Sequence, residues 1–276
     1  MSGGRAPAGG AAVPLCFSVE GVAFWAPSLP GWTIARAAFR SEGAPVDPPA
    51  KRPAPEIMAP AERRRAPDSV ALALEVAAAA VRASGLDAAT LPAVFTSSHG
   101  DLAVNDYMCA TLASQPTLIS PTRFHNAVHN ASAGYWTIAT GCHAASSALS
   151  AFDDSFAAGL LEAASLCIAD ARPVLLVACD VQATGPLASV TTSEGLLAVA
   201  LVLAPGGRAG TPAGPRFEAT LHVGAAPALP LHSAAARALA GNAMADALPF
   251  FEALARETLE PIELPLSHSL ALRLSP

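Results

Sequence analysis

The segment Tyr135–Ser147 has the sequence YWTIATGCHAASS, and the fold prediction starts from it. Aromatic and β-branched residues over Tyr135–Ala139 predict a strand, and Gly141 predicts a tight turn. The small residues after Cys142 predict the start of a helix. A thiol at a helix N-terminus lies at the positive end of the helix dipole, where thiolate is stabilised and free backbone N–H groups can hold an oxyanion. Cys142 is therefore the candidate catalytic nucleophile, at a strand-to-helix turn.

Strands and helices alternate on both sides of this segment, which predicts an α/β fold. The elements predicted before it are a strand or hairpin at Leu15–Trp25, a helix at Val70–Ala83 between an Asp68 cap and Gly85, a strand at Leu91–Ser97 and a helix at Val104–Leu112. The elements predicted after it are a helix at Ala144–Ala164, strands at Val174–Cys179, Leu196–Leu203 and Arg216–Val223, a helix at Ala243–Leu259 interrupted near Pro249, and a hairpin or bent strand at Ile262–Leu274. A Gly/Pro-rich junction at Pro205–Pro215 predicts two unequal parts, residues 1–205 and 206–276.

Composition excludes several classes of function. The chain has 276 residues and a formal net charge of −6, from 16 Lys and Arg against 22 Asp and Glu, so it lacks the basic surface that nucleic-acid binding requires. Apolar runs are too short for a membrane span, and the N-terminus does not resemble a signal peptide, so we expect a cytoplasmic protein. Five scattered cysteines without a CxxC pair indicate reduced thiols, and no cofactor is predicted.

Three histidines near Cys142 need separate interpretations. His125 and His129 have an i, i+4 spacing that could present two imidazoles to a metal, but no third ligand has a matching spacing. We therefore predict no metal, and expect both to line a pocket or interface. The same pocket or interface is expected to include Tyr135, Trp136, Gly141 and His143. His143 directly follows Cys142 and would point away from it, so His143 is not assigned as its general base.

The order of several segments resembles the N-terminal half of β-ketoacyl synthases, which have the layered thiolase-type fold (α-β-α-β-α). The segments are FTSSHG (95–100), ISPTRFHNAVHNASAGYWTIATGCHAASSAL (119–149), FAAGLLEA (156–163), VLLVACD (174–180) and SEGLLAVALVL (193–203). In that family a TACASS elbow carries the acyl-accepting cysteine, and the resemblance places Thr140–Ala144 there. Closer still are the short ketosynthase-like proteins of aryl polyene and related type II fatty-acid or polyketide pathways. The resemblance thus implies a complete N-terminal half, and a shortened C-terminal half.

The shortened C-terminal half separates two functions. In complete ketosynthases, the C-terminal half supplies two catalytic histidines from glycine- or asparagine-rich loops. The histidines in this part of the chain, which are His222, His232 and His268, do not lie in such loops. The resemblance favours a non-condensing partner, like a chain-length factor, that forms a heterodimer with a full-length ketosynthase and works with acyl carrier protein. Pairing would use Tyr135–Thr140, and a homodimer is also open.

The alternative is a cysteine-dependent acyltransferase or thioesterase that acts on carrier-protein thioesters through Cys142. Retention of the cysteine favours it, because chain-length factors commonly replace that residue. An α/β-hydrolase is less well supported, since no GxSxG or GxCxG motif is present.

Overall fold

The α/β prediction is confirmed by the computed structural model, which describes residues 14–206, 214–258 and 260–276. The strands are β1 (Leu15–Ala26), β2 (Leu29–Pro30), β3 (Ala93–Thr96), β4 (Ser146–Leu149), β5 (Val174–Asp180), β6 (Leu197–Pro205), β7 (Arg216–Val223), β8 (Ile262–Ser267) and β9 (Leu270–Ser275). The α-helices are α1 (Trp32–Phe39), α2 (Pro60–Arg65), α3 (Asp68–Ser84), α4 (Leu102–Ser114), α5 (Pro121–His125), α6 (Ala131–Thr140), α7 (Ser155–Ala169), α8 (Ala234–Arg237) and α9 (Leu248–Arg256).

The nine strands of the described residues belong to one mixed sheet with the order β4-β3-β5-β6-β1-β7-β9-β8, and β2 pairs with β1. β3 is parallel to both β4 and β5, whereas β6 is antiparallel to β5 and β1. β4 therefore forms one edge of the sheet. The carboxyl ends of β3, β4 and β5 meet at the same end of the sheet, which is where open α/β sheets place their sites.

Helices cover both faces of the sheet, and β5 shows how the two faces differ. Its alternate residues from Val174 to Ala178 pack in a cluster with α1, α7 and α9. Those from Leu175 to Cys179 pack in a second cluster with α3 and α6. A strand that is apolar on both faces is what a central position requires.

One glycine makes the close contact between α3 and the sheet. A Cβ at Gly21 in β1 would lie 2.2 Å from the carbonyl oxygen of Ala80 in α3. Any larger residue at position 21 would push the helix away. Gly85 ends α3 in the left-handed conformation, as predicted, but the N-cap of α3 is Pro67 and not Asp68, which is the first helical residue.

The structure contradicts the predicted elements around Cys142. Tyr135–Ala139 is helical and belongs to α6, in which Ala133 and Trp136 are buried three residues apart. The predicted helix Ala144–Ala164 is wrong in its first half, which contains the strand β4, and α7 begins only at Ser155. Burial of one face of α6 against α3 thus outweighs the local strand propensity of its aromatic and β-branched residues.

The segment beyond Pro205 continues the same sheet. β7 pairs with β1, β9 with β7, and β8 with β9, so the predicted C-terminal strand and hairpin are present. Pro249 lies in the first turn of α9 and so begins that helix, whereas an interruption was expected. Within the described residues, helices lie on both faces of this single sheet. The predicted junction falls largely on residues 207–213, outside the described residues.

Candidate functional site

The strand-to-helix turn of this fold lies between β4 and α7, at Ser150–Ser155. Phe152 has φ of +49°, a left-handed conformation that costs a bulky residue about 1–3 kcal/mol. Hydrogen bonds hold it there, since the Phe152 carbonyl oxygen accepts from Ser98 Oγ at 2.8 Å and from Ser155 Oγ at 2.6 Å. The phenyl ring is 70% exposed. The turn is therefore a fixed backbone conformation that projects its central side chain outward.

Buried polar groups at the ends of β3 and β5 support this turn. Asp180 accepts hydrogen bonds from Ser97 Oγ at 2.7 Å and from the Ser98 backbone N–H at 2.9 Å. Ser150 Oγ donates in turn to the Ser98 carbonyl oxygen at 2.7 Å. Burial raises the pKa of Asp180, and the hydrogen bonds from Ser97 and Ser98 oppose that shift. Ser98 thus connects the buried carboxyl group to the turn.

A second acid lies at the N-terminus of α7. Asp246 Oδ2 accepts from the Phe156 backbone N–H at 2.7 Å, which satisfies one of the free donors of the helix. Asp246 as a whole is only partly buried, but its Oδ1 atom is inaccessible to solvent and has no hydrogen-bond partner. Burial raises the pKa of Asp246 well above its usual value, against hydrogen bonds from Phe156 and Ala157.

Two histidines approach the turn from the segment after β3 and from the segment before α6. The His99 ring packs edge-on against the Phe152 ring, with centroids 5.9 Å apart, and His99 Nε2 lies 2.6 Å from Thr191 Oγ1. His129 Nε2 lies 3.0 Å from the Ser97 carbonyl oxygen. His99 was part of the FTSSHG segment, but nothing in its local pattern indicated this contact.

Cys142 does not lie at the strand-to-helix turn, so that placement is wrong. It follows the C-terminus of α6, where Gly141 is the left-handed C-cap. Its side chain is 5% exposed, and Sγ donates to the Leu91 carbonyl oxygen at 3.3 Å. A helix C-terminus presents the negative end of its dipole and carbonyl groups, which favour neither a thiolate nor an oxyanion.

The other predicted site residues are dispersed. Trp136 is fully buried in the core against α3, and the His125 ring packs on the Tyr135 ring with centroids 5.8 Å apart. His143 is exposed after the C-cap Gly141. His125 and His129 have separate partners. In the described part of the chain, no group of three or more His, Cys, Asp or Glu side chains could hold a metal ion.

The family model for "Beta-ketoacyl synthase, N-terminal domain" matches residues 38–255. The chain belongs to this family. No curated protein matches the chain in sequence. No helix within the described residues has the length and apolar character needed to cross a membrane.

Solved structures of ketosynthases and their complexes share the fold, which is thiolase-like as the resemblance implied. The chain is similar to one in "Ketosynthase (ApeO) in Complex with its Chain Length Factor (ApeC) from Xenorhabdus doucetiae", with 26% identity, a TM-score of 0.72, and coverage of 94% of this chain and 99% of that one. A chain of "The ishigamide ketosynthase/chain length factor" has 13% identity, a TM-score of 0.71 and the same coverage. A β-ketoacyl synthase from Burkholderia phymatum STM815 has 14% identity and a TM-score of 0.58, over 86% of this chain and 70% of that one.

The elbow motif of the family fits the turn that the structure shows better than it fits the segment around Cys142. When the family motif TACASS is aligned with Ser150–Ser155, it corresponds to SAFDDS. Both have a hydroxyl residue first, alanine second and serine last. Phe152 then occupies the position of the nucleophilic cysteine. Sequence reasoning missed it because the cysteine of the family was matched to the nearest cysteine of the chain, eight to ten residues before the turn. The one available signal was the short distance in sequence between the elbow and the helix that contains FAAGLLEA (156–163).

Proposed function

We propose that this chain is a non-condensing partner of a full-length ketosynthase, of the chain-length-factor type. It would act in type II fatty-acid or polyketide biosynthesis of the aryl polyene kind, on chains held by acyl carrier protein. The observation that carries the proposal is the phenyl ring of Phe152 at the strand-to-helix turn, where a condensing enzyme of this family presents its thiol. A phenyl group cannot accept an acyl chain, so condensation would need the cysteine of another subunit.

The lengths of the similar chains support the same assignment. The chain covers 99% of its counterparts in two ketosynthase and chain-length-factor complexes, but only 70% and 48% of two single ketosynthases. Its counterpart in each complex is therefore a chain of similar, short length.

The exposed edge of the sheet supplies the surface for a partner. The pairing strand of this family precedes the elbow, which moves the proposed pairing edge from Tyr135–Thr140, a helix, to β4. β4 pairs with β3 on one side only, among the described strands. Large apolar side chains are exposed on both neighbouring elements, Ile138 on α6 at 71% and Phe152 after β4 at 70%. Exposed apolar side chains beside an unpaired edge are typical of a protein interface.

The histidines beyond Pro205 lie on or beside other elements of the fold. His222 lies within β7 opposite Ala271 of β9, and His268 lies between β8 and β9. The backbone N–H of His232 donates to Glu252 at 2.7 Å. The histidine pair that complete ketosynthases draw from their C-terminal half therefore has no counterpart among these three histidines.

The experiment is to purify the chain with its full-length ketosynthase partner and to incubate the complex with acyl-loaded carrier protein. Intact mass should show an acyl adduct on the ketosynthase and none on this chain, and native mass spectrometry should show a heterodimer. Phe152→Cys is the positive control, because it places an exposed thiol at the turn. An adduct on the unmodified chain that disappears in Cys142→Ala would instead establish the alternative, an acyltransferase or thioesterase acting through Cys142.

A further inference from the structure

A cavity of about 740 Å³ lies under the proline-rich segment that precedes α3. Its walls come from that segment, from α4 and α5, and from the chain after β5. Its volume is in the range of small-molecule sites. Val104, Val181 and Asn126, each at least nine-tenths buried, form part of its lining. The cavity is thus built from four separate parts of the chain, on a largely apolar base.

Positive charge is concentrated at this cavity, although the chain as a whole is acidic. The lining includes Lys51, the single lysine of the sequence, with Arg52, Arg65 and Arg123, against two carboxylates. The four cations and two carboxylates leave an excess of two positive charges. Exposed cations scattered over a surface would not converge on one cavity in this way.

Both carboxylates already have partners, so neither is free to pair with the remaining cations, of which Arg123 stacks on the Tyr107 ring at 4.0 Å from its centroid. Asp68 forms an ion pair with Arg52, with Oδ1 and Nε 3.2 Å apart. Asp101 accepts from the Val104 backbone N–H at 3.0 Å and from Ser69 Oγ at 2.8 Å. Within the described residues, Lys51, Arg65 and Arg123 have no carboxylate partner. They are the groups that an anion would meet.

Unpaired polar atoms in the cavity wall point to a ligand with a hydrogen-bond donor. Asn126 is 5% exposed, and its Oδ1 is buried without a hydrogen-bond partner. Thr184 Oγ1, in the same lining, is also buried and unpaired. Buried polar groups are nearly always satisfied, and leaving one unpaired destabilises a protein. A hydroxyl or amide N–H of a ligand would satisfy Asn126.

We propose that this cavity binds a small phosphomonoester that also carries a hydroxyl or amide donor. A phosphomonoester has a charge of about −1.5 to −2 at neutral pH, which matches the excess positive charge of the lining. Arg65 and Arg123 supply guanidinium groups suited to bidentate contact with phosphate, and Lys51 adds a point charge. Asn126 accepts the hydrogen bond from the donor group. None of the lining residues belongs to the elbow or to β4.

Calorimetry with the full chain tests this site, with sn-glycerol 3-phosphate as the probe and glycerol and glycerate as matched controls. Of these three compounds, we expect only glycerol 3-phosphate to bind. Arg65→Ala and Arg123→Ala should each weaken it about tenfold, the effect of about one charge-assisted hydrogen bond. Arg64→Ala, in the same helix but outside the lining, should change it less than twofold. Asn126→Ala should abolish the preference for glycerol 3-phosphate over inorganic phosphate while binding of inorganic phosphate persists.

Several results would overturn the assignment. Absence of binding, or equal weakening by Arg64→Ala and Arg65→Ala, would remove the site. Equal affinity for glycerate would refute a phosphate site. Loss of carrier-protein binding in the Arg65 and Arg123 variants, without any binding of small phosphates, would identify the cations as a protein-docking surface. Circular dichroism of each variant establishes that it is folded before its affinity is compared.

Discussion

The proposed heterodimer predicts that Ala148→Pro separates pairing at the edge of the sheet from folding. The backbone N–H groups of Ala93 and Ser97 in the β3 segment donate to the carbonyl oxygens of Ala145 and Leu149. Since the N–H and C=O of a strand residue point to the same side, and sides alternate along a strand, Ser147 also faces β3 whereas Ser146 and Ala148 face outward. Proline at position 148 therefore removes an outward N–H and leaves the internal ladder intact.

The size of the effect follows from this geometry. Two outward residues offer a partner strand two donors and two acceptors, each hydrogen bond contributing about 1 kcal/mol net. Proline removes one donor, and its ring prevents close approach of the partner backbone, for a total loss of about 1–3 kcal/mol. The dissociation constant for the ketosynthase should rise about 5- to 150-fold. The free energy of unfolding of the isolated chain should fall by no more than about 1 kcal/mol.

Two matched variants complete the test, which uses interferometry against the immobilised ketosynthase and urea unfolding of the free chain. Ala148→Val has a side chain of similar bulk but keeps its N–H, so it should bind at least fivefold more tightly than Ala148→Pro. Ser147→Pro breaks the ladder to β3 and should destabilise the fold by about 3 kcal/mol. A folded Ala148→Pro chain that binds the ketosynthase within twofold of the unmodified chain would refute pairing through β4.

Further predictions concern stability and chemistry at the core of the site. Gly159→Ala should destabilise the chain by about 1–2 kcal/mol in urea unfolding, because the new Cβ would lie 2.8 Å from Thr96 Cγ2, whereas Gly134→Ala, with open space around its Cβ, should stabilise it by up to about 1 kcal/mol. Because the folded-state pKa of Asp246 is raised, the folded chain binds more protons than the unfolded chain above about pH 4, and stability falls as pH rises through that window. Asp246→Asn should remove this loss, so its advantage over the unmodified chain should be larger at pH 8 than at pH 4 in the same assay; an equal advantage at both would contradict the assignment. Cys142→Ala should lower stability by about 1–2 kcal/mol and leave the acyl adduct on the ketosynthase unchanged.

The sequence predicted the central sheet well because those strands have strong local signals. β5 and β6 are apolar on both faces, and α3 combines strong helix formers with a left-handed glycine cap. For such elements, local preference and tertiary position agree. The same agreement explains why the β8–β9 hairpin was found at the end of the chain.

The candidate site could not be predicted, because its elements have weak or contrary local signals. β4 has the sequence SSAL, without aromatic or β-branched residues, and as a half-exposed edge strand it needs none. Gly141 adopts a left-handed conformation that serves a helix C-cap as well as a turn before a nucleophile, so the residue alone does not distinguish the two. The elbow residue is a phenylalanine, which no rule of nucleophile chemistry would select. The supporting contacts of Ser98 and Asp180 bring together residues more than eighty positions apart.

Phe152 connects the strained backbone of the turn with the proposed binding of a partner subunit. A bulky side chain in a left-handed conformation has an energetic cost, and an exposed phenyl ring gains little from burial within its own chain to offset that cost. Two serine hydroxyls nevertheless hold the backbone in place. Burial of the ring against a partner would contribute about 1.5–3 kcal/mol, which is comparable to the cost of the strained backbone. The turn, the exposed ring and the outer edge of β4, which no described strand pairs with, lie in one continuous stretch of chain, so a single subunit docked along β4 would satisfy all three.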